Sequence, residues 1–286
     1  MIDYENIKLL LTGTRGYIGK EVLNQLIIRG IDVTEGDIID RDNSINISKD
    51  FNIKEFNIIC HLGGSSKRSD SINDIIKKNI IITRNLLLKS SKVDNIKFIF
   101  VSANSIISNK SSKYIDIDTP ISVTDFYSSS KFLGEGLLLE SLGRKRSSII
   151  RLPAIYGKDN SNDEGFLSRV KKAALKNEEI IIHDGNCLFN NAILKKDVVE
   201  FVLKIILNSN DVIGNDFMLS ADGELSILKI CQKIIKNLGS ASNINFKDTT
   251  DHINLNYLIN NTKAKNFGFK PTSMSYIIDH ICNDHE

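Results

Sequence analysis

The segment that most constrains this chain is Thr12-Gly13-Thr14-Arg15-Gly16-Tyr17-Ile18-Gly19. It follows the apolar run Ile7-Lys8-Leu9-Leu10-Leu11 and leads into an apolar-periodic stretch ending near Gly30. A glycine triplet alone is often only a turn. Here it links a buried strand to a helix, and each glycine then has a task. Gly13 permits the tight turn, Gly16 lets a pyrophosphate approach the backbone, and Gly19 lets the helix pack close to the strand. The helix start around Tyr17 and Ile18 offers N–H groups and partial positive charge to phosphates. Asp37 follows the next strand candidate, Ile31 to Glu35. A carboxylate there accepts hydrogen bonds from the adenosine ribose, which favours NAD over its 2′-phosphorylated form. Arg15 pulls the other way, since a guanidinium pairs well with a 2′-phosphate. The carboxylate should dominate, so NAD is expected, with NADP as the alternative. The plainer reading of Asp37 is a solvated loop acid beside Glu35 and Asp40.

Strands and helices alternate through the first two-thirds. Further strand candidates are Phe56 to Leu62, Phe98 to Val101 and Ser148 to Leu152. From Ile72 a helical stripe carries Ile75, Ile76, Ile80, Leu86 and Leu87, and two polar residues, Asn79 and Thr83, share it. A second helix runs from Asp125 to about Leu142, with Phe132, Leu133 and Leu137 to Leu139. This alternation predicts an α/β fold with a Rossmann-type, doubly wound parallel sheet. After Gly157 the pattern changes to helices around 164–176, 195–208 and 226–237, with short strands near 179–182 and 216–220. Pro271 lies in a late turn before a last amphipathic helix. The expected division is a dinucleotide-binding domain over 1–157 and a smaller α/β substrate lobe over 158–286, with about 179–205 returning to the first.

Composition limits the partners. A net charge of +2, from 37 basic and 35 acidic residues, gives no general drive toward nucleic acid or anionic membrane. Arg144-Lys145-Arg146 and Lys195-Lys196 read as solvated faces. No apolar run approaches the ~18 residues needed to span a bilayer, and the first residues carry no signal-peptide pattern. The cysteines Cys60, Cys187, Cys231 and Cys282 form no CxxC pair. Cys60 lies in an apolar run and reads as a buried small hydrophobe. A reduced, cytoplasmic protein with no metal site is expected.

Tyr127-Ser128-Ser129-Ser130-Lys131 places a tyrosine and a lysine four residues apart on one helical face. At ~4 Å and an effective dielectric of about 20, the ammonium favours a phenolate by up to ~4 kcal/mol. That is roughly three pKa units, enough to bring a tyrosine from about 10 toward neutrality before opposing desolvation. Such a phenol passes protons to and from a substrate oxygen while hydride moves at carbon. Alone, the spacing is common by chance.

Its company is not. The chain resembles the extended short-chain dehydrogenases, the NAD-dependent epimerase/dehydratase family, over almost its full length. The matching stretches are TGTRGYIG (12–19), CHLGG (60–64), NIIITRNLL (79–87), FIFVSANSI (98–106), YSSSK (127–131), IRLPAIYG (150–157), KKDVVEFVLKI (195–205) and NTKAKNFGFKP (261–271). The resemblance implies that Tyr127 is the catalytic acid/base and that Lys131 tunes it while holding the nicotinamide ribose. It also implies that His61, Leu62, Gly63 and Gly64 pass beside the cofactor, with Pro153 on the cofactor side. Asn79 becomes a polar brace for the active site. A nucleotide-diphosphate sugar is the implied substrate, and a homodimer through a bundle containing the YxxxK helix a possible assembly.

The chain also departs from the family pattern. Ala103 stands where a Ser or Thr usually polarises the substrate carbonyl, a donor worth a few kcal/mol of transition-state stabilisation. Ser102 or Ser105 is the candidate replacement. Asn104 and Ser105 replace the Asp-Glu of the 4,6-dehydratases, so dehydration is not expected. Asn190 occupies the position of a diphosphate-binding Arg, and Ala154 that of a substrate-binding Asn. Lys195, Lys196 or Arg169 are candidates for the missing charge. The leading expectation is a keto-sugar reductase, which needs only Tyr127, Lys131 and one donor. The alternatives are an epimerase with tightly held NAD and a catalytically weak, NAD(P)-binding regulator.

Overall fold

Short runs of Leu, Ile, Phe and Val bounded by turn residues suit strands buried on both faces. The structure is a computed structural model that describes residues 6–38, 44–65, 70–107, 113–158, 165–247 and 257–283. Its main sheet has seven strands: β1 (Lys8–Thr12), β2 (Asp32–Asp37), β3 (Ser44–Asn46), β4 (Ile58–His61), β5 (Lys97–Ala103), β6 (Ser147–Leu152) and β7 (Phe217–Met218). Their spatial order is β7-β6-β5-β4-β1-β2-β3. The ladders β1–β2, β1–β4, β2–β3 and β4–β5 are parallel, and Leu10 pairs with both Thr34 and Ile59. Strand order reverses at β1, which makes the sheet Rossmann-type and opens a crevice at the carboxyl ends of β1 and β4.

Three helices position the site. The first, α1 (Gly19–Ile28), follows the glycine turn. The second, α2, combines Ile72–Ile75, a π-helical turn at Ile76–Ile81 and Ile82–Ser90. Its buried face is Ile75, Asn79, Ile82, Thr83, Leu86, Leu87 and Ser90, so Ile76 and Ile80 are only half-buried, contrary to the expected stripe. The wider π turn moves the register. The third, α3 (Phe126–Leu142), is capped by Asp125, whose carboxylate accepts from the Ser128 N–H, and it ends at Gly143 with φ +68. Leu10, Ile59, Phe98 and Phe100 of the sheet form one core with Leu86 and Leu87 of α2 and Leu138 of α3. Burying each such side chain is worth about 1.5–3 kcal/mol. Gly134 lets α3 approach, since a Cβ there would sit 2.7 Å from the Phe100 ring.

The chain divides into two compact units. The first takes Met1–Ser108, Ile121–Arg151 and Val198–Phe217, the second Asn109–Pro120, Leu152–Asp197 and Met218–Glu286. The returning segment is therefore 198–217 rather than 179–205, and the strand expected near 216–220 is the edge strand β7 of the main sheet. Ile180–Ile182 stays in the second unit because it pairs in parallel with Ile244–Phe246. That unit's core gathers Tyr156, Leu167, Val170, Ile230, Ile234 and Ile277.

Arg144, Lys145 and Lys196 are exposed, as expected of solvated faces, yet the cluster also makes specific contacts. Arg144 pairs with Asp216, a buried carboxylate that also accepts from the Ile149 N–H at 3.0 Å, and Arg146 donates to the Val93 carbonyl at 2.8 Å. Lys196 lies over the Tyr276 ring. Among the described residues no helix is long and apolar enough to cross a membrane.

Candidate functional site

The glycine turn is held by close backbone approach. Gly13 has φ +77, and a Cβ there would fall 2.6 Å from the Gly63 nitrogen. A Cβ on Gly19 would collide with the Gly13 carbonyl, which itself accepts from the Gly16 N–H at 2.9 Å. Gly16 and Arg15 are exposed, Tyr17 and Ile18 half-buried, and no side chain caps α1. A glycine-rich turn before a helix that no side chain caps fits the pyrophosphate of a dinucleotide. Arg15 Nε stands 3.2 Å from Asp37 Oδ2, so the two groups expected to favour opposite cofactors pair with each other. Asp37 also accepts from the Ile38 N–H at 2.6 Å.

Behind Gly63 a buried network joins β1, β4 and α2. Thr12 Oγ1 accepts from the Gly63 N–H at 3.2 Å and lies 2.6 Å from His61 Nδ1, while His61 Nε2 lies 2.9 Å from Thr83 Oγ1. Burial, helped by the charge of Lys131, pushes the His61 pKa down to about 3, so the ring is neutral and structural at ordinary pH. Leu62 and Gly63 leave this network half-buried. Asn79, on the π turn, accepts from the Ser65 N–H at 2.6 Å and donates to the Ser65 carbonyl at 3.3 Å and Ser130 Oγ at 3.0 Å. Both odd polar residues of the α2 stripe are thus consumed: Thr83 fixes His61, and Asn79 ties the segment after β4 to α3.

On α3, Tyr127, Lys131 and Glu135 recur at one-turn intervals. Tyr127 is half-buried, whereas Lys131 is only 7% exposed. The Lys131 ammonium donates to the Val101 carbonyl at 3.2 Å and lies 5.6 Å from the centre of the Phe100 ring. Burial pushes its pKa down to about 8, with the Glu135 charge opposing the fall. Glu135 in turn grips Arg151 through both oxygens, at 3.0 and 2.9 Å, in a buried ion pair.

After β5 the candidate hydroxyls separate. Ser102 is buried, and its Oγ finds no partner among the described residues. Ser105 is half-buried in the turn Asn104–Ile106, with its Oγ 2.8 Å from Ser128 Oγ. Ala103 and Asn104 are buried.

The remaining candidates lie in the second unit. Pro153 is buried directly after β6. Asn190 is buried too, and its amide pairs twice with the Ile259 backbone, donating at 2.9 Å and accepting at 2.9 Å. That side chain stitches two segments together, where a diphosphate ligand was expected. It borders a cavity of about 390 Å³ lined also by Tyr114, Glu224, Asn260 and Lys265. Neither the double pairing nor the cavity was legible in the sequence, because the partners are 69 residues apart.

A glycine turn at the switch point of a parallel sheet, with a Tyr and a buried Lys one helical turn apart beside it, defines a protein of the extended short-chain dehydrogenase type. The family model described as "NAD dependent epimerase/dehydratase family" matches residues 9–219, and the chain belongs to that family. It is similar to a putative UDP-glucose 4-epimerase of Methanocaldococcus jannaschii, 24% identical, over 92% of this chain and 93% of the relative. Among solved structures it is similar to a UDP-glucuronic acid 4-epimerase from Bacillus cereus in complex with UDP-glucuronic acid and NAD. That match has a TM-score of 0.78 and 19% identity, over 97% of this chain and 98% of the other. It is also similar to a dTDP-4-dehydrorhamnose reductase from Clostridium acetobutylicum, with a TM-score of 0.74 and 18% identity over 96% and 98% of the two chains.

Proposed function

We propose that the protein is a nucleotide-diphosphate-sugar epimerase that uses tightly held NAD, oxidising a sugar carbinol to a transient ketone and reducing it from the other face. The observation that carries the reading is the Lys131 ammonium, buried one turn from Tyr127 at the carboxyl end of β5. When bound, NAD accepts a hydride from the sugar carbon and returns it. Gly13, Gly16 and Gly19 hold the pyrophosphate with the N-terminus of α1, and Asp37 the adenosine ribose. Leu62 and Gly63 line the cofactor's path. Tyr127 takes the hydroxyl proton as the ketone forms and gives it back on reduction. Lys131 supplies the positive charge that makes the phenol acidic enough for both steps. Asn79 keeps the segment after β4 and α3 in fixed relation.

The likeness to two UDP-sugar 4-epimerases moves the preference from reductase to epimerase. The likeness to a dTDP-4-dehydrorhamnose reductase supports the second reading, reduction of a keto-sugar by NAD(P)H. Ala103 is compatible with either. Mass spectrometry of nucleotide sugars incubated with the protein separates them: epimerisation leaves mass unchanged without net cofactor use, and reduction adds two hydrogens.

A reducing cytoplasm suits four buried free thiols. A homodimer through α2 and α3 would cover Ile81, Leu88, Phe132 and Leu133, which are all exposed.

A further inference from the structure

Three buried polar residues join the segment after β4 to the turn of α3 that carries the tyrosine. Both ends of the chain they form are backbone groups, whose roles cannot reverse. The Ser65 N–H only donates, so the Asn79 atom 2.6 Å from it is the oxygen Oδ1. The Asn79 N–H₂ then faces the Ser65 carbonyl at 3.3 Å and Ser130 Oγ at 3.0 Å, and both accept. At the other end the Tyr127 carbonyl only accepts, so Ser130 gives its proton there, at 2.6 Å. Other contacts of Tyr127 do not alter these directions. The Ser65 hydroxyl lies outside the chain, bonded to Asp70. Ser65, Asn79 and Ser130 are at most 4% exposed, so water does not replace these bonds when they break. Gly63 and Gly64 lead straight into Ser65. A Cβ on Gly13 would fall 2.6 Å from the Gly63 nitrogen, and one on Gly64 would fall 2.7 Å from Asn79 Oδ1. Backbone contact thus runs from the glycine turn to the Asn79 amide, and hydrogen bonds run from that amide to the tyrosine's own peptide.

We propose that Ser130 is a positioning residue that couples NAD binding to the placement of Tyr127. The coupling builds on the reading in which NAD runs beside Leu62 and Gly63. A cofactor packed against that segment holds Ser65, the two bonds from Ser65 hold the Asn79 amide, and Ser130 passes the restraint to the first turn of α3. The Tyr127 carbonyl is also the helical acceptor for the Lys131 N–H, so the hydroxyl acts on the turn that spaces the two residues. A serine that bonds back along its own helix also bends it, which sets the direction of that turn. The tyrosine is then held best when the cofactor it serves is present.

The test is Ser130→Ala, read by hydrogen–deuterium exchange with and without NAD. Alanine is the best helix former, and the Lys131 N–H keeps its helical acceptor, so α3 persists. In the wild type, saturating NAD should slow exchange of the Lys131 amide about fivefold, the worth of one net hydrogen bond. In the variant that slowing should fall below about twofold although NAD still binds. At saturating NAD, kcat should drop at least about fivefold with KM for the sugar within about twofold, because the tyrosine moves and the substrate's grip does not. Asn79→Ala should lower kcat likewise, and the double variant no further, since both residues act through one chain. Ser130→Cys, whose thiol hydrogen-bonds weakly, carries the same comparison if Ser130→Ala fails to fold. A purely structural role would lower kcat or stability and leave the NAD-induced slowing intact. That result overturns the coupling, as does a wild type whose Lys131 amide does not respond to NAD. A protein that shows the coupling yet converts no nucleotide sugar removes the epimerase reading and leaves the coupling standing.

Discussion

Lys131 should cost the fold stability at neutral pH, and removing it should make the protein more stable while abolishing its chemistry. Burial lowers its pKa from 10.5 to about 8. A drop of about 2.5 units corresponds to about 3 kcal/mol of native-state penalty for carrying the charge. The Val101 carbonyl and the Phe100 ring already act within that balance. Lys131→Met retains the apolar stem and deletes the charge, so its unfolding free energy near pH 7 should exceed that of the wild type by up to about 3 kcal/mol. Between its folded value of about 8 and its unfolded value, the lysine binds fewer protons folded than unfolded, and wild-type stability rises with pH across that window. The variant's advantage should shrink by about 2 kcal/mol from about pH 7 to about pH 9.5. Chemical denaturation of both proteins at the two pH values measures the difference, and groups other than Lys131 cancel. A variant less stable than wild type, or a gap that does not change with pH, would refute the reasoning.

Other substitutions test neighbouring parts. Glu135→Gln leaves the Arg151 charge buried without its carboxylate and should cost about 3–5 kcal/mol in denaturant unfolding, most of it recovered when Arg151→Met is added. Gly19→Ala forces a methyl against the Gly13 carbonyl and should weaken NAD binding at least about tenfold by calorimetry, through the strain of shifting the turn. Asp37→Ala releases Arg15 from its partner, and the ratio of NADP to NAD affinity should rise at least about tenfold; an unchanged ratio would deny both residues a part in cofactor choice.

Local patterns made the parallel sheet and the glycine turn legible before any coordinates. Spacing of four places Tyr127 and Lys131 on one helical face but only the accompanying family motifs single them out, while the polar break in an apolar stripe marks Asn79 and Thr83. What stayed hidden depends on pairing between distant residues. Nothing near Asn79 indicates that it binds Ser65 and Ser130, and the π turn that aims it leaves no plain periodic signature. Arg15 and Asp37 favour opposite cofactors by their chemistry, yet their proximity in the fold makes them partners. Asn190 was identified by a counted position and proved to be engaged with the Ile259 backbone. The boundary at Val198 is invisible because the helix Lys195–Leu207 runs without a break from one unit into the other.

The central claim is that Tyr127 moves the proton during oxidation and reduction of a nucleotide sugar. Its direct test is Tyr127→Phe, with epimer interconversion followed by chromatography and NAD affinity measured on the same preparation. The account predicts interconversion at constant mass by the wild type, its loss in the variant, and nearly unchanged NAD affinity. Full turnover by Tyr127→Phe would contradict it.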